Sequence, residues 1–250
     1  MNLVKKGSKT AKNGFKNEDI VVEKFNNWKK DKDAQAWLAI MNYQISKIEY
    51  VKAIRLSSNI GYKTDVQVQV TIKLKEAIDV ENLQVKLVSN PKGFNQIDKH
   101  WIDKYVEMWN IPENITSILK RYTGEEKPTI KKPKDKRRMF ANEFSETELK
   151  SILKWLKKNQ SLIVSDILKG RGKFAAEWML VILNINNNSN WVLKPMNYCM
   201  NYFGNGEVGI TSRGSFRIGK ITMQRKGGDG GRKTANMLQF KINPAELFDN

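Results

Sequence analysis

The chain has 250 residues, 40% hydrophobic and 10% aromatic, and 44 Lys and Arg against 26 Asp and Glu leave a formal net charge of +18. That apolar content excludes a disordered chain, and no apolar run approaches the roughly 18–20 residues of a membrane span. One cysteine and one histidine exclude a disulfide framework, a multi-cysteine zinc site and any mechanism that needs two histidines.

Length predicts one large domain or two small ones. The lysine-rich stretch from Met1 to Lys12 has no apolar core of a secretory signal, so a cytoplasmic protein is expected. The excess charge calls for a polyanionic partner, because self-repulsion destabilises the compact state. Nucleic acid fits, since neutralising phosphates releases counterions. A membrane surface does not, because no long helix pairs a basic face with a bulky apolar one. The bland alternative is a merely solvated lysine-rich surface.

In chain order, residues 14–30 place Phe15, Ile20, Val21, Phe25 and Trp28 at helical spacings, and a second helix is predicted from Asp33 to about Met41. Ile48 to Leu56 reads as a strand, followed by a turn at Ser57, Ser58, Asn59 and Gly61. Thr64 to Leu74 alternates strictly over eleven residues, with Val66, Val68, Val70, Ile72 and Leu74 on one face. Glu81 to Val88 repeats the pattern, and Lys75–Val80 is short enough to close a hairpin. Helices are predicted over 96–109 and 111–122. Residues 124–138, with two prolines and seven Lys and Arg, read as an exposed loop or linker and the best place for an internal division. Ser145 and Glu148 form a capping-box pattern opening a helix to about Asn159. Residues 176–185 read as a buried central strand, with a turn at 186–190. Strands are predicted at Glu207–Ile210, Arg217–Gln224 and Met237–Ile242, the last two joined by a glycine-rich basic loop. The fold class is therefore mixed α+β, with an antiparallel or mixed sheet.

A hairpin centred near residues 76–77 makes paired positions sum to roughly 153. Asp65 then lies opposite a residue near 88, with Lys86 diagonal to it and Gln84 one step further on the same polar face. Diagonal neighbours lie about 7–8 Å apart, within reach of long side chains. A carboxylate, an amide or main-chain carbonyl and an ammonium would converge. Such oxygens suit Mg²⁺, which activates water and supports phosphoryl transfer. The simpler reading is a solvent-facing amphipathic hairpin, and a slip by one residue would put Asp65 and Lys86 on opposite faces.

Asp65, eighteen intervening residues, then Gln84-Val85-Lys86 resembles the PD-(D/E)XK nuclease pattern with an amide at the second acidic position. GSKTAKNGFKNE at 7–18, QVKLVSNPKGFNQIDKHW at 84–101, DKRRMF at 135–140, GRGKFAAEW at 170–178 and ITMQRKGGDGGRKTANMLQFKINPAELFD at 221–249 are more specific. They resemble the Hin-type, MspI-like family of type II restriction endonucleases that cuts GCGC after its first G. The resemblance implies a PD-(D/E)XK core, a central mixed, largely antiparallel sheet flanked by helices, with a β-rich C-terminal part. It implies a single nuclease domain over 1–250, with 14–123 carrying the catalytic hairpin and 139–250 the DNA-reading part. Asp65, Gln84 and the Val85 carbonyl would hold one or two Mg²⁺ ions, and Lys86 would be the catalytic lysine. Gln84 leaves the site one negative charge short, which weakens metal affinity until DNA supplies phosphate. Thr64 stands where a related enzyme has serine. Products would carry 5′-phosphates. Double-stranded DNA is the implied partner, with a methyltransferase protecting the same sequence in the host. A homodimer and a monomer are both compatible with a palindrome.

The resemblance also places Lys5, Lys9 and Lys12 on phosphates at the minor groove, and lets Phe94 wedge between base pairs, with Gln96, Asp98 and Lys99 as polar neighbours. Without it, Phe94 reads as folded back onto the core. Gln224, Arg225, Lys226, Asp229 and Arg232 form the best reading loop. Gln pairs with adenine, Arg or Lys with guanine, and Asp with cytosine, so a G·C target draws on Arg, Lys and Asp. The alternative is a phosphate-binding loop without sequence preference. Its glycines lack the GK[ST] ending of a nucleotide loop. His100 reads as a packed or surface residue and Cys199 as core. A structure-directed or nonspecific nuclease and a non-catalytic nucleic-acid binder are the competing readings.

Overall fold

The structure, a computed structural model, describes residues 16–56, 68–186, 188–228 and 232–249. The described residues cluster into two compact units made of interleaved segments. One comprises 16–95, Lys169–Cys199 and 243–249; the other comprises Gln96–Leu168 and Met200–Ile242. Residues 124–138 lie inside the second.

The first unit holds helix α1 (residues 16–26), α2 (Lys32–Ile40) and strands β1 (Ile48–Arg55), β2 (Val68–Leu74), β3 (Ile78–Val88), β5 (Trp178–Ile185) and β6 (Asn188–Pro195). The strands form one sheet in the order β1-β2-β3-β5-β6. Only β3 and β5 run parallel. The period-two pattern decides which face is buried. Val68, Val70 and Ile72 of β2 and Leu83 and Val85 of β3 share a core with Val51 and Ala53 of β1. Val21 and Phe25 of α1 and Trp37 and Leu38 of α2 cover that core. Phe25 and Trp37 meet at 5.2 Å between ring centroids, and Trp191 of β6 packs edge-on against Trp37. Asn26 ties α1 to edge strand β1: its side chain accepts from the Ala53 N–H at 2.7 Å and donates to the Ala53 carbonyl at 3.2 Å.

The hairpin is tighter than its sequence suggests. Leu74 N–H donates to the Ala77 carbonyl, so the connection is 75–77 rather than 75–80. Val68 pairs with Leu83 and Gln69 with Asn82, so paired positions sum to 151, not 153. A shift of two preserves parity. Gln69, Asn82, Gln84 and Lys86 share the face opposite the core.

The second unit holds α3 (Ile102–Trp109), α4 (Glu113–Thr123), α5 (Glu146–Lys158), α6 (Gln160–Leu168) and a second sheet. Its strands are β4 (Asn95–His100), β7 (Val208–Ile210), β8 (Phe216–Ile218), β9 (Ile221–Arg225) and β10 (Leu238–Ile242), in the order β4-β10-β9-β8-β7. The helix expected over 96–109 is corrected: its first half is edge strand β4, and only Ile102 onward is helical. Pairing with β10 supplies hydrogen bonds that the local pattern does not reveal. The strand expected over Arg217–Gln224 is two strands, turning at Gly219 (φ +54°), where Ile218 pairs with Ile221. α6, β6 and the helix α7 (Met196–Gly204) were not anticipated. The capping box is present: the Ser145 side chain accepts from Glu148 N–H, and the Glu148 carboxylate accepts from Ser145 N–H at 2.9 Å. Tyr105, Trp109 and Phe240 form an aromatic centre, Tyr105 stacking on Trp109 at 4.7 Å.

Candidate functional site

β3 lies inside its sheet between β2 and β5, and its middle residues, 82–86, are buried on both faces. Gln84 is 0% exposed and pairs with Met179; Lys86 is 7% exposed and pairs with Val181. Among the described residues, neither Oε1 nor Nε2 of Gln84 has a hydrogen-bond partner. An unsatisfied buried amide costs about 1–3 kcal/mol, and such groups in native proteins call for an explanation. A cation on Oε1 is one that the donor set fits. The Val85 side chain packs into the core, which leaves its carbonyl as the group it can offer a hard cation. The carboxylate predicted to complete that set, Asp65, lies outside the described residues, as do Thr64, Lys5, Lys9, Lys12 and Asp229. Among the described residues no three His, Cys, Asp or Glu gather in one place to hold a metal.

Asn82, one step before Gln84 on the same face, fixes this end of β3. Its amide donates to the carbonyls of Lys173 (3.0 Å) and Ala175 (3.2 Å) and accepts from Gln69 at 3.0 Å. The segment 173–175 thereby joins the polar face of the hairpin.

Glu18 of α1 stands within electrostatic reach of Lys86 and was not among the candidates read from the sequence. It is buried, lies 3.9 Å from the Arg55 guanidinium, and feels the charge of Lys86. Burial pushes its carboxyl up to about 6, against the opposing pull of Arg55 and Lys86. A signal for it did exist. Glu18, Val21 and Phe25 fall at i, i+3 and i+7, so a carboxyl stands on the buried stripe of an amphipathic helix. Ile20, counted with that stripe by spacing, is exposed.

The glycine-rich loop joins β9 to β10. Its base is stapled: Lys226 N–H donates to the Met237 carbonyl and Gly227 N–H to the Ala235 carbonyl. Gly227 and Gly228 take positive φ, +65° and +60°. Gln224 and Lys226 are half-buried and Arg232 is exposed. Arg225 is also half-buried and already engaged. Its Nε donates to the Thr123 carbonyl at 2.9 Å and its Nη2 to Asn236 Oδ1 at 2.7 Å. Burial and the guanidiniums of Arg137 and Arg138 lower its pKa. Arg225 therefore braces the loop as well as lending it charge.

Phe94 is 50% exposed, on a turn where Lys92 N–H donates to Asn90 Oδ1; it is not folded onto the core. Gln96 and Lys99 are exposed on β4, whereas Asp98 is buried and accepts from Tyr105 Oη at 2.9 Å. His100 Nε2 lies 3.3 Å from Asp98 Oδ1 and its ring packs edge-on against Tyr105, a packed position as expected. Cys199 is buried, and burial pushes its thiol up to about 12, leaving it an inert core residue.

Two five-stranded sheets with their helices make a mixed α+β architecture, and comparison with known proteins places it among restriction-endonuclease folds. The crystal structure of the restriction endonuclease MspI in complex with its cognate DNA has this fold, with a TM-score of 0.64 at 12% identity over 90% of this chain and 87% of that one. The sequence matches the R.HinP1I restriction endonuclease family over residues 41–248, and the chain belongs to that family. It is a DNA-cleaving restriction endonuclease by that membership. No curated protein matches it.

Proposed function

We propose that the chain is a Mg²⁺-dependent type II endonuclease that hydrolyses phosphodiester bonds in double-stranded DNA at GCGC, after the first G, leaving 5′-phosphates. The observation that carries the catalytic reading is the buried Gln84 amide without a partner, two residues from buried Lys86 on one face of β3. Gln84 Oε1, the Val85 carbonyl and the Asp65 carboxylate would hold one or two ions. Asp65 precedes Val68 by three residues in the sequence, and its part in the set is inferred from the D…QxK pattern alone. The bound ion supplies an activated water and offsets charge on the phosphate.

The chain's own residues do the rest. Lys86 presents an ammonium, fixed by a strand inside a sheet, to the charge that develops on the phosphate. Glu18, within electrostatic reach of Lys86, would set the local charge balance. Phe94, exposed on its turn, supports the reading of a wedge, at an unstacking cost of a few kcal/mol. Gln224, Lys226, Asp229 and Arg232 would read bases, with Gln96, Lys99, Lys5, Lys9 and Lys12 on backbone or groove edges. A host methyltransferase guarding the same sequence and residence in the cytoplasm follow from this activity. A two-fold dimer or a monomer acting on each strand in turn would both serve a palindrome.

Asp65→Ala and Lys86→Ala are expected to abolish cleavage in Mg²⁺ while keeping the thermal transition and most of the affinity for duplex DNA in Ca²⁺. Retained cleavage in either variant overturns the site.

A further inference from the structure

Residues 124–138 carry Lys127, Lys131, Lys132, Lys134, Lys136, Arg137 and Arg138 against Glu125, Glu126 and Asp135. The segment is irregular, yet it is pinned at several points. Arg121 Nη1 donates to Thr129 Oγ1 at 3.1 Å, the Lys134 N–H donates to Glu143 Oε1 at 2.7 Å, and Asp135 bridges to Arg138 as an isolated β-pair. At its start, the Gly124 carbonyl accepts from Asn236 Nδ2 at 2.8 Å, next to the Thr123 carbonyl held by Arg225. A Cβ on Gly124 would meet the Arg137 carbonyl at 2.7 Å, so the two ends of the segment close on each other beside the base of the β9–β10 loop.

The acids of this segment are occupied. Asp135 takes a bidentate bond from Arg137, at 2.9 and 2.8 Å. Glu125 accepts from Ile102 N–H, and Glu126 from Ser117. The five lysines have no ion-pair partner among the described residues. Many lysines elsewhere, such as Lys154 and Lys158 of α5, also lack one; what sets this segment apart is density, seven Lys and Arg in fifteen residues whose acids are already engaged. Arg138 is prepared differently. Its guanidinium lies 4.0 Å over the Phe140 ring and 5.9 Å from Tyr122, which fixes its plane, and its side-chain N–H groups have no acceptor among the described residues. A stacked, half-buried guanidinium with unused donors suits a bidentate phosphate contact.

We propose that this strap is a phosphate-binding element for duplex DNA, with Arg138 as its oriented anchor and Lys131, Lys132, Lys134 and Lys136 as its diffuse contacts. It positions the duplex without reading its sequence. The proposal rests on the endonuclease reading for the identity of the polyanion. The clamp of Arg225 and Asn236 joins it to the base of the reading loop, so backbone grip and base reading share one mounting.

The test is binding in Ca²⁺ to two duplexes, one with GCGC and one without, across a salt series. It compares wild type, Arg138→Gln, the triple variant Lys131→Gln/Lys132→Gln/Lys134→Gln, and a control that removes three charges from α5, Lys150→Gln/Lys154→Gln/Lys158→Gln. For every phosphate that a variant no longer neutralises, the slope of log K against log salt should become shallower by about 0.9. The strap variants should show this on both duplexes in parallel, while cutting the same sequence in Mg²⁺; the control should keep the wild-type slope on both. Slopes equal to the control's overturn the strap. Weakening confined to the GCGC duplex, or a relaxed cutting sequence, overturns it in favour of base reading. If wild type cuts at a defined sequence while the strap variants bind normally, only the strap fails. If wild type binds neither duplex, the endonuclease reading fails and the strap with it.

Discussion

Gln84 brings an amide into a sheet position where no described residue hydrogen-bonds to it. If the amide is there to hold a cation, removing its polarity should help the metal-free protein and harm the reaction. Gln84→Leu keeps the size, and in EDTA it is expected to unfold at the wild-type temperature or higher, by up to roughly 1–3 kcal/mol, while cleavage is lost. A markedly lower unfolding temperature would make Gln84 a structural amide instead. Glu18 gives the second residue-level prediction. Its carboxyl titrates at about 6 in the fold against an ordinary value of 4.5. Between those values the folded state keeps a proton that the unfolded chain has released, so stability falls as pH rises through the window. Glu18→Gln should remove that fall. Unfolding temperatures of wild type and variant at pH 4.5 and 6.5 should diverge in the variant's favour at the higher pH; a constant difference would contradict the buried-acid account.

At the level of elements, what the sequence revealed depended on how local the cause was. The β2–β3 hairpin was legible because one face is core, and burial enforces period two over Val68, Val70, Ile72, Leu83 and Val85. Its register was wrong by two, because a three-residue turn cannot be told from a longer one by alternation alone. Gln84 and Lys86 share a face whatever the register, because they stand two residues apart on one strand. The α5 cap was legible from Ser145 and Glu148, a purely local pair. β4 was not, because Ile97, Trp101, Ile102 and Tyr105 mimic a helical period and the strand exists through its partner β10. Glu18 carried a signal, its spacing to Val21 and Phe25, but counting exposed Ile20 with the apolar stripe blurred the phase of α1. The β8–β9 break depended on Gly219, which the apolar pattern runs straight through. Gly219 has φ +54°, and a Cβ there would meet the Asn205 carbonyl at 2.5 Å and the Phe203 carbonyl at 2.7 Å. Both are main-chain atoms, so Gly219→Ala is expected to cost about 1–3 kcal/mol in urea unfolding. A cost near zero would mean that the hairpin relaxes freely.

For the whole molecule, the +18 charge is the property that sequence showed first and structure sharpened. Few of the described lysines are ion-paired with an acid, and in residues 124–138 seven Lys and Arg are crowded into one short segment whose own acids are engaged. A charge arranged in this way serves association with a polyanion, and it makes binding steeply dependent on salt. The proposed catalytic residues lie in a different part of the chain, around β3, so substitution is expected to separate the two functions. The central claim is that these parts serve one activity, the cutting of duplex DNA at a defined tetranucleotide. Digestion of unmethylated phage DNA in Mg²⁺, with the fragment ends sequenced, tests it most directly. Discrete fragments whose 5′-phosphorylated ends begin at CGC, immediately after G, are the predicted result. Discrete fragments ending at another sequence would contradict the specificity while keeping the catalytic site. A smear, or intact DNA that the protein nonetheless binds, would contradict the account at its centre.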